Sequence, residues 1–71
     1  MTPAEYLARM DELFAACDDE GALALATQWG PTVHPQLSAE ELVTLLGTLE
    51  GCQMAVNLEA WEQAHAAERP A

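Results

Sequence analysis

The chain has 71 residues, with 12 acidic residues against two arginines and no lysine, and a formal net charge of -10. This charge argues against direct binding of DNA, RNA or an anionic membrane, because phosphates are bound by Lys and Arg. A hydrophobic fraction of 51% is too high for a disordered acidic tail, and the scarcity of Val and absence of Ile disfavour β-sheet.

The first predicted helix begins at a capping box. Thr2 is a suitable N-cap, Pro3 suits the first helical position, and Glu5 stands three residues after the cap. Apolar side chains then recur with helical spacing as far as Cys17. We therefore predict a helix over 3–17 and place Cys17 on its buried stripe, where a thiol is inert.

Three consecutive acids follow and are predicted to begin a second helix over 19–29. Asp18 is a suitable N-cap, and Asp19 and Glu20 complement the positive end of the helix dipole in the first turn. A calcium loop would need further oxygen ligands at fixed intervals, and these are missing from the sequence. The same three acids are also a candidate contact patch for a partner.

The Gly30-Pro31 pair is predicted to end the second helix, because glycine terminates helices and proline cannot continue them. Residues 30–37 then form the one predicted loop, stiffened by Pro31 and Pro35. His34 lies between the two prolines, with no second ligand four residues away and no nearby nucleophile. We expect a surface histidine rather than a metal ligand or a general base.

The third predicted helix begins at a second capping box, with Ser38 as the N-cap and Glu41 three residues later. One apolar face runs from Leu42 to Val56 and is predicted to pack against the first two helices. A second apolar face is left over by this packing. Its members are Val43, Met54, Leu58 and Trp61.

Two interpretations of the third helix remain open. A single helix, continuous or kinked, would run from 39 to about 66 and is favoured because no proline intervenes. Alternatively, the chain breaks near Gly51 or is capped again by Asn57, and a fourth helix follows. The tail over 68–71 is predicted to fray.

These elements predict an all-α fold for a single acidic helical domain over 1–71. The architecture is a small three-helix bundle, in which the first two helices form a hairpin. The long third helix, whether continuous, kinked or split, packs across the apolar stripes of that hairpin.

No enzymatic activity is predicted, because no nucleophile, base and orienting group are brought together by the sequence. Cys17 and Cys52 fall on predicted core stripes and are expected to be free thiols, and Ser38 serves as a cap. Glu62 and His65 have the spacing of part of a helical di-metal site, but the other ligands are missing. We predict no cofactor and no metal.

The segment SAEELVTLLGTLE, which begins at Ser38, resembles the helix of acyl carrier proteins that follows the phosphopantetheine-bearing serine. This resemblance implies a modified Ser38. The Asp-Ser-Leu signature of that family is missing on both sides, since Leu37 precedes the serine and Ala39 follows it. The acyl-carrier interpretation is therefore an alternative that the signature does not support.

In size, acidity and lack of catalytic groups, the chain is similar to small phage-encoded inhibitors, including anti-CRISPR proteins. Some of those viral proteins mimic nucleic acid and occupy a basic groove on their target. This similarity and the charge lead us to expect an inhibitor or adaptor that occludes a basic, nucleic-acid-binding surface of a larger protein.

The expected partner contacts combine acids at helix starts with apolar anchors and acids on the third helix. They are Asp18, Asp19, Glu20, Glu40, Glu41, Met54, Leu58, Glu59, Trp61 and Glu62. The alternative is a homo-oligomeric structural or accessory subunit, such as a homodimer, that uses the second face of the third helix. The N-terminus lacks the pattern of a signal peptide and no apolar stretch spans a bilayer, so we expect a cytoplasmic protein.

Overall fold

A computed structural model of the chain describes residues 1–66, which form three α-helices and one short 3-10 turn. Helix α1 covers Pro3–Ala15, α2 covers Asp19–Val33 and α3 covers Ala39–His65. The 3-10 turn, His34–Gln36, connects α2 to α3. The predicted all-α three-helix fold is confirmed, whereas the predicted fraying of 68–71 lies outside the described residues.

Both predicted capping boxes are present. The backbone N–H of Glu5 donates to Thr2 Oγ1 at 3.1 Å, and the N–H of Thr2 donates back to Glu5 Oε1 at 3.0 Å. Ser38 and Glu41 repeat the arrangement at the start of α3 with the same two distances. The hydrogen bonds that Glu5 and Glu41 accept hold the pKa of each carboxyl below its usual value.

Helix α1 ends two residues earlier than predicted, in a Schellman motif. The N–H of Asp18 donates to the Leu13 carbonyl at 2.9 Å, and the N–H of Cys17 donates to the Phe14 carbonyl at 3.0 Å. Cys17 adopts the left-handed conformation that this motif requires, with φ of 55°. Its side chain is exposed, so its predicted place on the buried stripe is wrong.

The left-handed backbone at Cys17 predicts that a glycine there stabilises the protein. A side chain in this conformation costs about 1–2 kcal/mol, and glycine avoids that cost while loosening the unfolded chain. We expect Cys17→Gly to raise the free energy of unfolding by about 1 kcal/mol in urea denaturation. Cys17→Ala removes the thiol and keeps the strain, so an equal gain from alanine would contradict the backbone explanation.

Helix α2 does not end at Gly30 and Pro31, and the predicted loop over 30–37 is wrong. The helix continues to Val33, whose side chain is completely buried. Pro31 lies inside the helix on its exposed side, so the helical hydrogen bond lost with its N–H is lost at the solvent face without ending the helix. Burial of Val33 offsets this local cost.

The imidazole of His34 explains the glycine at position 30. A Cβ added to Gly30 would come within 3.0 Å of His34 Cε1, so the ring packs directly over the glycine backbone. The Tyr6 hydroxyl and His34 Nε2 form a hydrogen bond of 2.8 Å that joins α1 to the end of α2. His34 is therefore a partly buried structural residue rather than the predicted surface histidine.

The core lies where α2 packs against both α1 and α3. Tyr6 is fully buried at its centre, and this burial raises the pKa of the phenol. The core members come from all three helices. They are Tyr6, Met10, Leu13, Ala22, Val33, Leu45, Leu49 and Cys52.

Helix α3 is a single helix of 27 residues, which confirms the favoured interpretation. No break occurs at Gly51, and Asn57 does not cap a new helix, because its side-chain oxygen accepts a hydrogen bond from Gln53 at 2.9 Å. Cys52 is the last buried residue of α3 and Val56 the last partly buried one before an exposed run over 57–64. We call residues 57–64 the α3 extension.

Candidate protein-binding surfaces

Two of the polar side chains considered in the sequence analysis have structural roles. His34 is paired with Tyr6, and Ser38 Oγ accepts the N–H of Glu41 as a cap. Within residues 1–66, no group of three or more His, Cys, Asp or Glu side chains is placed to hold a metal ion. The surface of this part of the chain has three distinct features that a partner could contact.

The first feature is an apolar strip on the side of α3 opposite the core. At about 100° per residue, its four members fall within an arc of about 60°. Their exposed fractions are 71% for Val43, 71% for Met54, 57% for Leu58 and 55% for Trp61. These residues, which we call the α3 strip, are the second face predicted from the sequence.

Two glycines interrupt the strip between Val43 and Met54. A Cβ added at Gly47 or at Gly51 would meet no atom within 4 Å. The backbone of α3 is thus directly accessible over this stretch, and a partner can approach it more closely than at any position with a side chain.

Trp61 is held in place by its own helix. Its ring stacks on His65 with centroids 4.3 Å apart and an interplanar angle of 21°. His65 Nδ1 also lies 2.8 Å from the Trp61 carbonyl oxygen, within hydrogen-bonding distance. An aromatic side chain that is ordered before binding loses less entropy on association, which makes Trp61 a suitable anchor.

The second feature is an acidic cleft of about 260 Å³ where the start of α2 faces the later part of α3. Glu59 of α3 and the three acids that begin α2 line it, so the structure brings together four predicted contacts. The lining residues are Cys17, Asp18, Asp19, Glu20, Val56 and Glu59.

These four acids differ in their exposure and in the contacts that they already make within the protein. Asp18 caps α2 by accepting the N–H of Gly21 at 2.9 Å. Asp19 is partly buried and lies beside Cys52, where burial first and then the Asp19 carboxylate raise the pKa of the thiol. Glu20 and Glu59 are exposed. The sequence pattern could not separate these roles, because it shows charge but not neighbours.

Glu62 lies on the surface of α3 between the acidic cleft and the α3 strip. On the surface of α3 it lies between the direction of Glu59 and that of Trp61, and it is exposed. A partner seated on the strip would therefore meet the carboxylate of Glu62 along one edge, whereas Glu59 lies farther round the helix, in the acidic cleft.

The third feature is a groove of about 360 Å³ between α1 and α3, which the sequence analysis did not predict. Glu40 and Glu41 lie here, at the far end of α3 from the acidic cleft, so the predicted contacts do not form one patch. We call this the α1–α3 groove. Its lining is Leu7, Met10, Asp11, Phe14, Glu40, Glu41, Thr44, Leu45 and Thr48.

Part of the groove could have been found from the sequence. Leu7 and Phe14 lie seven residues apart at one edge of the α1 stripe, so both face the same direction. They are only partly buried in the structure. The sequence signal for the groove is an apolar stripe on α1 that is wider than the core can bury. Whether the edge of that stripe is covered depends on how α3 packs against α1.

The comparisons with known proteins identify no relative, since the chain matches no protein-family model, no curated protein and no solved structure. Among the helices of residues 1–66, none has both the length and the apolar character needed to cross a bilayer.

Proposed function

We propose that this protein is a small acidic protein-binding module, an inhibitor or adaptor of the cytoplasm that occludes a basic surface on a larger protein. The observation that carries the proposal is the α3 extension, which presents Leu58 and Trp61 to solvent without tertiary support. Charge and helix stability supply the supporting arguments.

The α3 extension gains little stabilisation from packing against the rest of the protein. Every residue over 57–64 is exposed, so this part of α3 has no core contacts to stabilise it. Most helical stability in proteins comes from packing of an apolar face, and isolated helices shorter than about 12–15 residues are marginal in water. A partner seated on Leu58 and Trp61 would supply the missing packing.

The charge of the surface favours a basic partner. The net charge is -10, and in residues 1–66 the single ion pair joins Arg9 to Glu12 at 2.9 Å. Among residues 1–66 the other carboxylates form no ion pair with a basic side chain, and the summed negative field attracts cationic surfaces over a Debye length. A basic, nucleic-acid-binding surface has the complementary charge, and some phage-encoded inhibitors, including anti-CRISPR proteins, occupy such a surface on their target.

The test compares capture of proteins from the source cells by the native protein and by a strip variant carrying Met54→Ser, Leu58→Ser and Trp61→Ser. A matched control replaces three exposed residues of α2, as Ala24→Ser, Thr27→Ser and Gln28→Ser. We expect a basic protein that the native chain and the control retain, that the strip variant loses, and that elutes as salt rises.

Two results would contradict the proposal. One is a specific partner whose retention is the same for the native chain and the strip variant. The other is a partner whose affinity does not change between about 0.05 and 0.5 M salt, because attraction between complementary surface charges is screened over this range.

A homo-oligomer is the second candidate, and the open backbone at Gly47 and Gly51 favours it, since small residues let two helices approach closely. Sedimentation equilibrium at micromolar concentration distinguishes the two functions. A dimer that Leu58→Glu converts to monomer would support this candidate, and a monomer at all concentrations would dismiss it.

A further inference from the structure

We propose that the α1–α3 groove is a docking site for an amphipathic helix of the partner, with apolar residues on one face and Lys or Arg beside them. The inference rests on the proposed function, because it specifies which part of a basic partner is bound. It concerns a surface separate from the α3 strip, so the two can fail independently.

The packing of the helices creates a place for one more helix. Helix α2 makes the main contacts with both α1 and α3. The neighbouring surfaces of α1 and α3 are left with a groove of about 360 Å³ between them. In a four-helix bundle, a fourth helix completes this kind of arrangement by packing between two others.

The floor of the groove is apolar and only partly covered. Leu7 and Phe14 of α1 retain exposed surface, and the core residues Met10 and Leu45 also line the groove. A helix that carries apolar side chains at positions i, i+3 or i+4, and i+7 would place these side chains on Leu7 and Phe14. This burial would supply the main attraction for the ligand.

The rim of the groove determines the charge of the ligand. Asp11, Glu40 and Glu41 line it, and none of its lining residues is basic. One oxygen of Glu41 accepts the N–H of Ser38, while Asp11 and Glu40 are exposed. Lys or Arg beside the apolar face of the ligand would pair with these carboxylates.

The same rim disfavours a second copy of this chain. The α3 strip is the exposed apolar helix face that a second copy would offer, and at about 100° per residue it is bordered by Glu50 and Glu62, both exposed. Inserting it would place these acids against Asp11 and Glu40, and like charges across an interface are strongly unfavourable. A foreign basic helix avoids this repulsion.

The test uses a synthetic leucine–lysine peptide of about 15 residues that forms an amphipathic helix. It is titrated into the 15N-labelled protein at about 0.15 M salt, where long-range attraction is screened. We expect saturable shifts over 7–14 and 40–48. A scrambled peptide of the same composition should bind about tenfold more weakly, because its leucines no longer share one face.

A matched pair of variants locates the site. Thr48 and Thr27 are both exposed helical threonines whose hydroxyls donate to the carbonyl four residues earlier, at 3.1 Å and 2.9 Å. Only Thr48 lines the groove. Thr48→Arg should lower the affinity for the peptide about tenfold or more, whereas Thr27→Arg, with the same change in net charge, should lower it about twofold at most.

Each other outcome overturns the inference. Equal affinity for the amphipathic and the scrambled peptide would mean that binding depends on charge attraction alone. Shifts over 54–62 would place the peptide on the α3 strip, and in that case the proposed function would stand without the groove. Groove shifts that appear with protein concentration alone would identify a second copy as the occupant. Absence of saturable peptide binding rejects the groove, while the capture experiment still decides the function.

Discussion

Replacing Met10 by alanine is expected to lower the free energy of unfolding by about 3 kcal/mol. Met10 is completely buried between the helices, so its truncation loses apolar burial and leaves a cavity. Small domains are stable by only about 5–15 kcal/mol, so a large part of the total is lost. Urea denaturation followed by circular dichroism measures the change directly.

The control for Met10→Ala is the same substitution at Met54. Met54 is 71% exposed, so Met54→Ala removes a side chain that contributes little to the folded state. We expect its free energy of unfolding to stay within about 0.5 kcal/mol of the native value. Equal losses from the two variants would mean that the strip is covered in the free protein, contrary to the structure.

Truncating Trp61 is expected to have the largest effect on binding. With the partner identified by the capture experiment, Trp61→Ala should weaken the complex by about 2–4 kcal/mol, which is at least about thirtyfold in Kd. The reason is that exposed aromatic anchors dominate the binding energy of such interfaces. Calorimetric titration measures the affinity. The free energy of unfolding should be almost unchanged, since Trp61 is 55% exposed.

Trp29 provides the matched control for Trp61. It is partly buried and packs against the core, so Trp29→Ala should lower the free energy of unfolding by about 2 kcal/mol. Its effect on affinity, measured where the variant is still folded, should be small. If Trp61→Ala destabilises the protein as much as Trp29→Ala while leaving the affinity intact, Trp61 is a structural residue and the proposed interface is wrong.

Local chemistry was sufficient to predict where helices begin. The hydrogen bonds of a capping box form between residues three apart, so Thr2 with Glu5 and Ser38 with Glu41 predict the two helix starts without knowledge of the fold. The two apolar faces of α3 follow from helical periodicity in the same way. The α3 strip was therefore visible in the sequence.

Helix ends could not be predicted by the same means. Gly30 and Pro31 have the local properties of a terminator, yet α2 continues to Val33 because that side chain is buried and His34 is bonded to Tyr6. Tyr6 lies 28 residues from His34, and no local rule includes such a contact. Cys17 shows the converse case, in which the turn into α2 imposes a left-handed backbone that the cysteine does not favour.

The sequence by itself determined the fold class, the helix starts, the acidic surface and the leftover apolar face of α3. These features follow from the composition of the chain and from the spacing of residues a few positions apart, neither of which depends on tertiary contacts. Only the tertiary structure decided which acids meet, how far α3 extends past its packing, and that a groove remains between α1 and α3. Those features depend on how the three helices pack around α2, and packing is set by contacts between residues distant in the chain.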